Sequence, residues 1–400
     1  MIWNKINHID NLNCKIEIPT EWLLPHYYEA VNVLFRFENT LRVFAYIILK
    51  KNLGMKWADI SIDSEDNTQS TLKAIAKKRQ SQDSNFGYLG YTFSSPMLYL
   101  TSGELFKMIT HDSYWKYFKN WFLGSKEIIK NKFEEIINVR NAFAHFRPLK
   151  QDDVEVVKQN ILHLMNKIEN QIGQIINNND RVPSNTKDEW YQSLKSLGNE
   201  LCNTTFFQSQ DREWIRITLI FNCPVNWFRR FVSKRIMVDT FTIETIPILL
   251  KYKELSNNSI YISETIPSLY QSSNWKSSIN KRINFLFPRE ILQSNFSLLE
   301  DNFKNLLDDI KNEVEMIQQD NMARGELVHS VRLYGFSEQL EDGSLNVDID
   351  TSDLSSIENE EVLPEFWGQI SYFSGKHYLS HATQFPWMSE RISNIEDIEF

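Results

Sequence analysis

The 400-residue sequence predicts a mainly α protein with an α+β second domain: an N-terminal helical bundle followed by a mixed strand/helix domain. Three observations carry that expectation. Apolar residues recur every three or four positions through most of residues 25–176, and the spacing then dissolves in a polar stretch. Beyond it, two-residue alternation and β-branched runs take over. Only 12 Gly and 11 Pro leave long segments unbroken, and 42% apolar content supplies more than one core's worth of material.

Taken in order, residues 1–24 form an N-terminal segment. From Pro25 to Gly54 the apolar positions keep helical intervals, with Lys50 and Lys51 ahead of a terminating glycine, which predicts one long helix. Shorter helices are expected over 71–80, 102–111 and 112–122, and a loop over 83–99, where Gly87, Gly90 and Pro96 break the period. A helix over 125–147 begins at Ser125, whose hydroxyl suits an N-cap, carries Glu127 in its positive first turn and is stopped at Arg147 by Pro148. The next starts near Asp152, with Val154, Val157, Ile161, Leu164, Ile168 and Ile175 in one stripe. Residues 25–176 are therefore expected to be an all-helical bundle, and 177–189 ("NNNDRVPSNTKDE") a linker.

The second domain, 190–335, should hold strands at 213–221 ("EWIRITLIF"), 235–246 ("RIMVDTFTIETI"), "YISETI" and "KRINFLF". A long amphipathic helix is expected from Pro288 to about Ser330, with Ile291, Phe296, Leu299, Phe303, Leu306, Ile310, Val314 and Ile317 in phase. Residues 336–400 read as an acidic loop, 338–363, and an aromatic C-terminal segment that packs back onto the body.

The formal net charge of −9 is unevenly spread. From Glu338 onward fourteen acidic residues face only Lys376 and Arg391, a net of −12, so the preceding chain carries +3. A near-neutral body can hold a local basic cleft for nucleic acid, because screening confines attraction to roughly 8 Å at physiological salt. The acidic tail is a candidate cover for such a cleft. No run reaches the ~18 to 20 apolar residues of a membrane span, and the N-terminus lacks a signal peptide's apolar centre, so a cytoplasmic protein without membrane contact is expected. Cys14, Cys202 and Cys223 are far apart and suit reduced, packed thiols; no metal or cofactor is expected.

The chemistry concentrates in "INVRNAFAHFRPL", residues 137–149. The core stripe Ile129, Phe133, Ile136 has Arg140 as its next member, followed by Phe143. A guanidinium in phase with buried positions costs several kcal/mol unless paired, so Arg140 should open into a cleft or face a partner. Asn141 and His145, four apart, share one face. His145 falls in the final helical turn, where outward carbonyls favour a positive charge.

Arg140 to His145, "RNAFAH", resembles the RxxxxH signature of the HEPN superfamily, helical-bundle nucleases common in toxin–antitoxin and abortive-infection systems. The flanks "FENTLRVFAYIILKKNLGMKW" and "YLTSGELFKMI" resemble the first and middle elements of an abortive-infection-like HEPN domain. The likeness covers about residues 25–176; residues 190–400 resemble no named family. It implies metal-independent RNA cleavage by a homodimer in which two such helices build one composite site. His145 is then the general base or acid, Arg140 stabilises charge developing at phosphorus, and Asn141 orients phosphate or histidine. The implied product carries a 2′,3′-cyclic phosphate, and the implied setting is antiviral defence, with an antitoxin or a phage-derived trigger as partner. The alternative is a non-catalytic, dimerising adaptor or ligand sensor in which the same Arg–Asn–His network fixes packing.

Other candidates carry two readings each. Glu38 and Arg42, four apart, are either a surface ion pair or part of the substrate-binding cleft. Arg147 either contacts RNA phosphate or sits in solvent. A second RxxxxH, Arg324 to His329, lacks the polar residue after arginine and has Gly325 mid-motif. His377 and His381 have metal-like spacing but no third ligand nearby, and read as ordinary polar residues. Residues 226–235, "NWFRRFVSKR", suit either a solvated strand edge or RNA stacking.

Overall fold

The computed structural model describes residues 25–63, 69–84, 95–176, 182–184, 186–230, 235–265, 268–271, 277–320, 324–339, 345–350 and 366–370. It is mainly α in its first part and mixed α and β in its second, as the periodicity predicts. Helix α1 spans Pro25–Leu53 and ends where Gly54 takes φ +57°, a backbone state that a residue without Cβ adopts at no steric cost. Its second half is buried on every side: Leu41 and each residue from Val43 to Leu49 are at most 1% exposed. A helix apolar all round must lie inside, so α1 is the axis of the first part.

Around it pack α2 (Leu72–Ser84), α3 (Ser102–Thr110), α4 (Asp112–Phe118), α5 (Lys126–Ala144) and α6 (Gln151–Ile176). Phe106 of α3 stacks on Phe133 of α5 at 4.4 Å between ring centroids, and Phe122 meets Phe133 edge-on. Thr101 and Glu104 form a reciprocal capping box at the start of α3, and Arg79 of α2 grips the buried Glu104 carboxylate with two hydrogen bonds of 2.6 and 2.8 Å. Burial pushes the Glu104 carboxyl up, but the Arg79 and Thr101 hydrogen bonds outweigh it and hold it below its ordinary value. The all-helical expectation needs one correction. Strands β1 (Ser61–Asp63) and β2 (Gln69–Thr71) pair antiparallel between α1 and α2, too short to leave a periodic signature.

The second part begins with α7 (Glu189–Leu194), so the expected linker already ends in a packed helix with Trp190 at 1% exposure. Strands β3 (Cys202–Gln208), β4 (Trp214–Cys223), β5 (Val225–Arg230) and β6 (Arg235–Ile243) follow, then helices α8 (Thr245–Lys251) and α9 (Lys253–Asn258). After them come β7 (Tyr261–Glu264), β8 (Ser268–Gln271), β9 (Ser277–Pro288) and the long α10 (Arg289–Asp320), then β10 (Val328–Gln339), β11 (Leu345–Asp350) and β12 (Trp367–Gln369). Six strands form one sheet in the order β12-β7-β9-β4-β3, with β8 also on β9; four form another, β11-β10-β6-β5. Only the β12–β7 pairing is parallel among the described ladders. The α10 stripe, Leu299, Phe303, Leu306, Ile310, Val314 and Ile317, packs into the core that holds Ile215, Ile217, Leu219 and Phe285 of the larger sheet.

Three boundaries differ from expectation. The α10 helix ends near Asp320, not Ser330, because Glu313 on its last turns accepts hydrogen bonds from the amides of Leu327 and Val328 and holds that segment as a turn into β10. The division at 335 cuts through β10, and part of the supposed acidic loop is β11, paired with β10 from Tyr334–Asp350 to Gln339–Leu345. Two separate domains are not what the chain builds, either. Trp214, Ile260, Tyr261, Leu286 and Trp367 of the second part belong to the same apolar cluster as α1. Lys50, 2% exposed, donates to Tyr46 Oη at 2.8 Å and to the carbonyl of Ser256 at 3.1 Å, while Lys51 pairs with Glu213 and lies 5.1 Å from the Trp214 ring centre. The aromatic segment does pack back where it is described: Phe366, Trp367 and Ile370 are at most 2% exposed. Among the described residues no helix is long and apolar enough to cross a membrane.

Candidate functional site

Ile129, Phe133 and Ile136 are buried as the stripe predicts, and Arg140 follows them to the edge of the bundle. Its side chain is 38% exposed, with Nε 3.7 Å from Glu38 Oε1 of α1. Glu38 therefore faces two arginines, since its other oxygen lies 3.2 Å from Arg42 Nη2. The same carboxylate accepts from the Ser102 hydroxyl at the start of α3. Arg42 also donates to the Leu100 carbonyl at 3.2 Å and to Asn39 Oδ1 at 3.3 Å.

Glu38 and Arg42 are each only 13% exposed, which removes the surface-pair reading. Two charges held largely out of water need further partners to offset desolvation, and Ser102, Asn39 and the Leu100 carbonyl are those partners. The result is a braced polar row, Arg42–Glu38–Arg140, in which α1 fixes the arginine that α5 presents.

Asn141, His145 and Arg147 lie in solvent. His145 is not within the last turn as expected but is the C-cap residue, at φ −98° and ψ 15°. Phe146 then takes φ +55°, so the helix is ended before Pro148 can act. The amide of Phe146 bonds the Phe143 carbonyl at 2.9 Å and the amide of Arg147 bonds the Ala142 carbonyl at 2.8 Å, a Schellman closure with phenylalanine in the place glycine usually takes. Four residues lie between Arg140 and His145, a spacing that an ideal helix turns through about 140°.

The second RxxxxH folds otherwise. Arg324 and His329 pair as an isolated bridge around the turn before β10, and both reach Glu244, at 3.4 and 3.2 Å. Burial, with the cations Arg324 and Lys281 nearby, pushes the His329 imidazole down to about 4, and burial raises the Glu244 carboxyl. Beside them Lys281 pairs with Glu264 at 2.9 Å, at 9% and 2% exposure, and Thr245 donates to the same carboxylate. This is a charge network buried at Lys281 and Glu264 and open to solvent at Arg324, and no sequence spacing announces its meeting at Glu244.

Cys202 and Cys223 are free and buried, with burial pushing both thiols up to about 12, which makes them inert. Residues 226–230 lie in β5, an edge strand of the smaller sheet; His377, His381 and Cys14 lie outside the described residues. Among the described residues no group of three His, Cys, Asp or Glu is placed to hold a metal ion. No protein-family model, no curated protein and no solved structure matches this chain.

Proposed function

We propose that the chain is a metal-independent endoribonuclease of HEPN type that acts as a homodimer. The observation that carries this is a braced arginine and a solvent-facing histidine at the end of one helix: Arg140 is held by Glu38 at the bundle edge, and His145 stands in solvent at the C-cap. In a pair of α5 helices related by a twofold axis, the arginine and histidine of both copies converge on one site.

In the proposed reaction a His145 imidazole takes the proton of a ribose 2′-hydroxyl, and the 2′-oxygen attacks the adjacent phosphorus. The P–O5′ bond breaks, the 5′-oxygen leaves with a proton from a second imidazole or from water, and the product ends in a 2′,3′-cyclic phosphate. Such proton transfer contributes typically ~10² to 10⁴-fold. Arg140 stabilises the added negative charge on the phosphoryl oxygens, Asn141 orients the phosphate, and Arg147 holds the neighbouring one. The 2′-hydroxyl requirement restricts cleavage to RNA. Growth arrest in phage defence, under the control of an antitoxin or a phage-derived trigger, is the setting proposed for this activity.

The test is His145→Ala in the full chain. The variant should remain dimeric in sedimentation and lose at least ~10²-fold of RNA cleavage, measured in EDTA with end-group analysis of the products. Equal cleavage by both proteins, or none by either, favours the adaptor reading.

A further inference from the structure

The proposed chemistry uses Arg140, Asn141, His145 and Arg147 but gives no role to the residue between the last two. Phe146 is 85% exposed, the highest value among the exposed large apolar side chains of the described residues. It is also one of two non-glycine residues at positive φ among them, at +55°. Either feature alone is ordinary. Together they are not, because a left-handed C′ position favours glycine or asparagine and an unburied phenyl ring returns nothing to the fold.

The local geometry nonetheless fixes the backbone from which this ring projects. Both amides that follow His145 are hydrogen-bonded back into α5, and Pro148 restricts the backbone beyond Arg147. The exposed chain neighbours are Asn141, Ala144, His145, Arg147, Pro148 and Lys150, most of them polar or cationic. A solvent-facing aromatic whose chain neighbour is an exposed cation is an arrangement suited to receive a nucleobase.

We infer that Phe146 is a stacking platform for an unpaired base of single-stranded RNA, the one flanking the cleaved linkage, with Arg147 on that nucleotide's phosphate. This rests on the ribonuclease reading above. It adds a base contact to it: the ring takes up the adjoining base only where that base is free to leave its own stack.

Three full-length proteins test it, wild type, Phe146→Gly and Phe146→Trp, with a labelled single-stranded oligoribonucleotide and the same strand carrying one abasic nucleotide beside the cut site. Phe146→Gly should weaken binding and raise KM by about fivefold to a hundredfold, with the melting temperature unchanged or about 1 to 2 °C higher. Phe146→Trp should bind as wild type does. The abasic substitution should weaken wild type to the level of Phe146→Gly and leave Phe146→Gly itself unaffected. Unchanged binding and KM in Phe146→Gly, with wild-type cleavage intact, overturns the stacking role and leaves the nuclease reading standing. A lowered melting temperature, or a shift confined to sedimentation, also overturns it, by assigning the ring to the fold or to the contact between copies. Failure of wild type to bind or cut any RNA removes both readings together.

Discussion

At the scale of single residues, the site divides into groups that hold the bundle together and groups that it merely displays. Glu38 is 13% exposed and faces Arg42 and Arg140, so its removal takes the carboxylate from the largely buried Arg42 guanidinium, leaving it only neutral acceptors such as Asn39 and the Leu100 carbonyl. Glu38→Ala should cost about 2 to 4 kcal/mol of unfolding free energy in urea. Arg140 is 38% exposed and more loosely paired, so Arg140→Ala should shift that midpoint by less than ~1 kcal/mol while removing RNA cleavage. Equal destabilisation by both would show that Arg140 is structural. His329 provides a pH dependence of calculable sign. Its folded-state value, about 4, lies below the ordinary 6.5, since burial and the cations Arg324 and Lys281 outweigh the Glu244 carboxylate beside it. The unfolded chain takes up the proton first, so this contribution is complete above about pH 6.5 and declines as pH falls toward 4, by about 3 kcal/mol. Urea titrations at pH 7 and 4.5 should show a smaller loss for His329→Gln than for wild type.

At the scale of elements, the long helices α1, α5, α6 and α10 were legible from their buried face and the short α7, α8 and α9 were not, and helix ends were legible only where a local residue makes the end. The α1 stop at Gly54 and the Ser125 start of α5 follow from residues visible in the chain. The α5 stop does not. Proline at 148 suggests an end at 147, yet Phe146 turns left-handed two residues earlier, against the preference of its own side chain. The strands β1, β2 and β12 are three residues each and carry no period, and the longer β3 and β10 were not legible in the sequence either. Strand β12 is held by a close backbone approach: a Cβ on Gly368 would fall 1.7 Å from the Ile262 carbonyl oxygen. Gly368→Ala should therefore expel β12 from the sheet and uncover Trp367, read as a red shift of tryptophan emission and a melting temperature lowered by several degrees.

At the scale of the whole molecule, the two expected domains share an interior. The buried half of α1 meets Trp214, Tyr261 and Trp367, and Lys50 bridges to the Ser256 carbonyl, so the bundle is closed by the α+β part and not merely tethered to it. That bears on the acidic tail as a cover for the cleft. Residues after 338 include β11, β12 and the fully buried Trp367, so truncation there would remove core together with charge. Replacing the tail's carboxylates with amides separates the two effects.

By itself the sequence determined the helices of the bundle, the strands β4, β6, β7 and β9 and the polar helix end that carries Arg140, Asn141 and His145, because each depends on residues within one or two turns of one another. Tertiary structure alone decided that Glu38 braces Arg140, that Arg324 and His329 meet at Glu244, that α1 serves two halves, and that Phe146 stands out in solvent. These depend on groups distant in the chain and on the balance of desolvation against pairing. Only the assembled interior sets that balance, since the distance and exposure that determine it do not exist before the chain has folded.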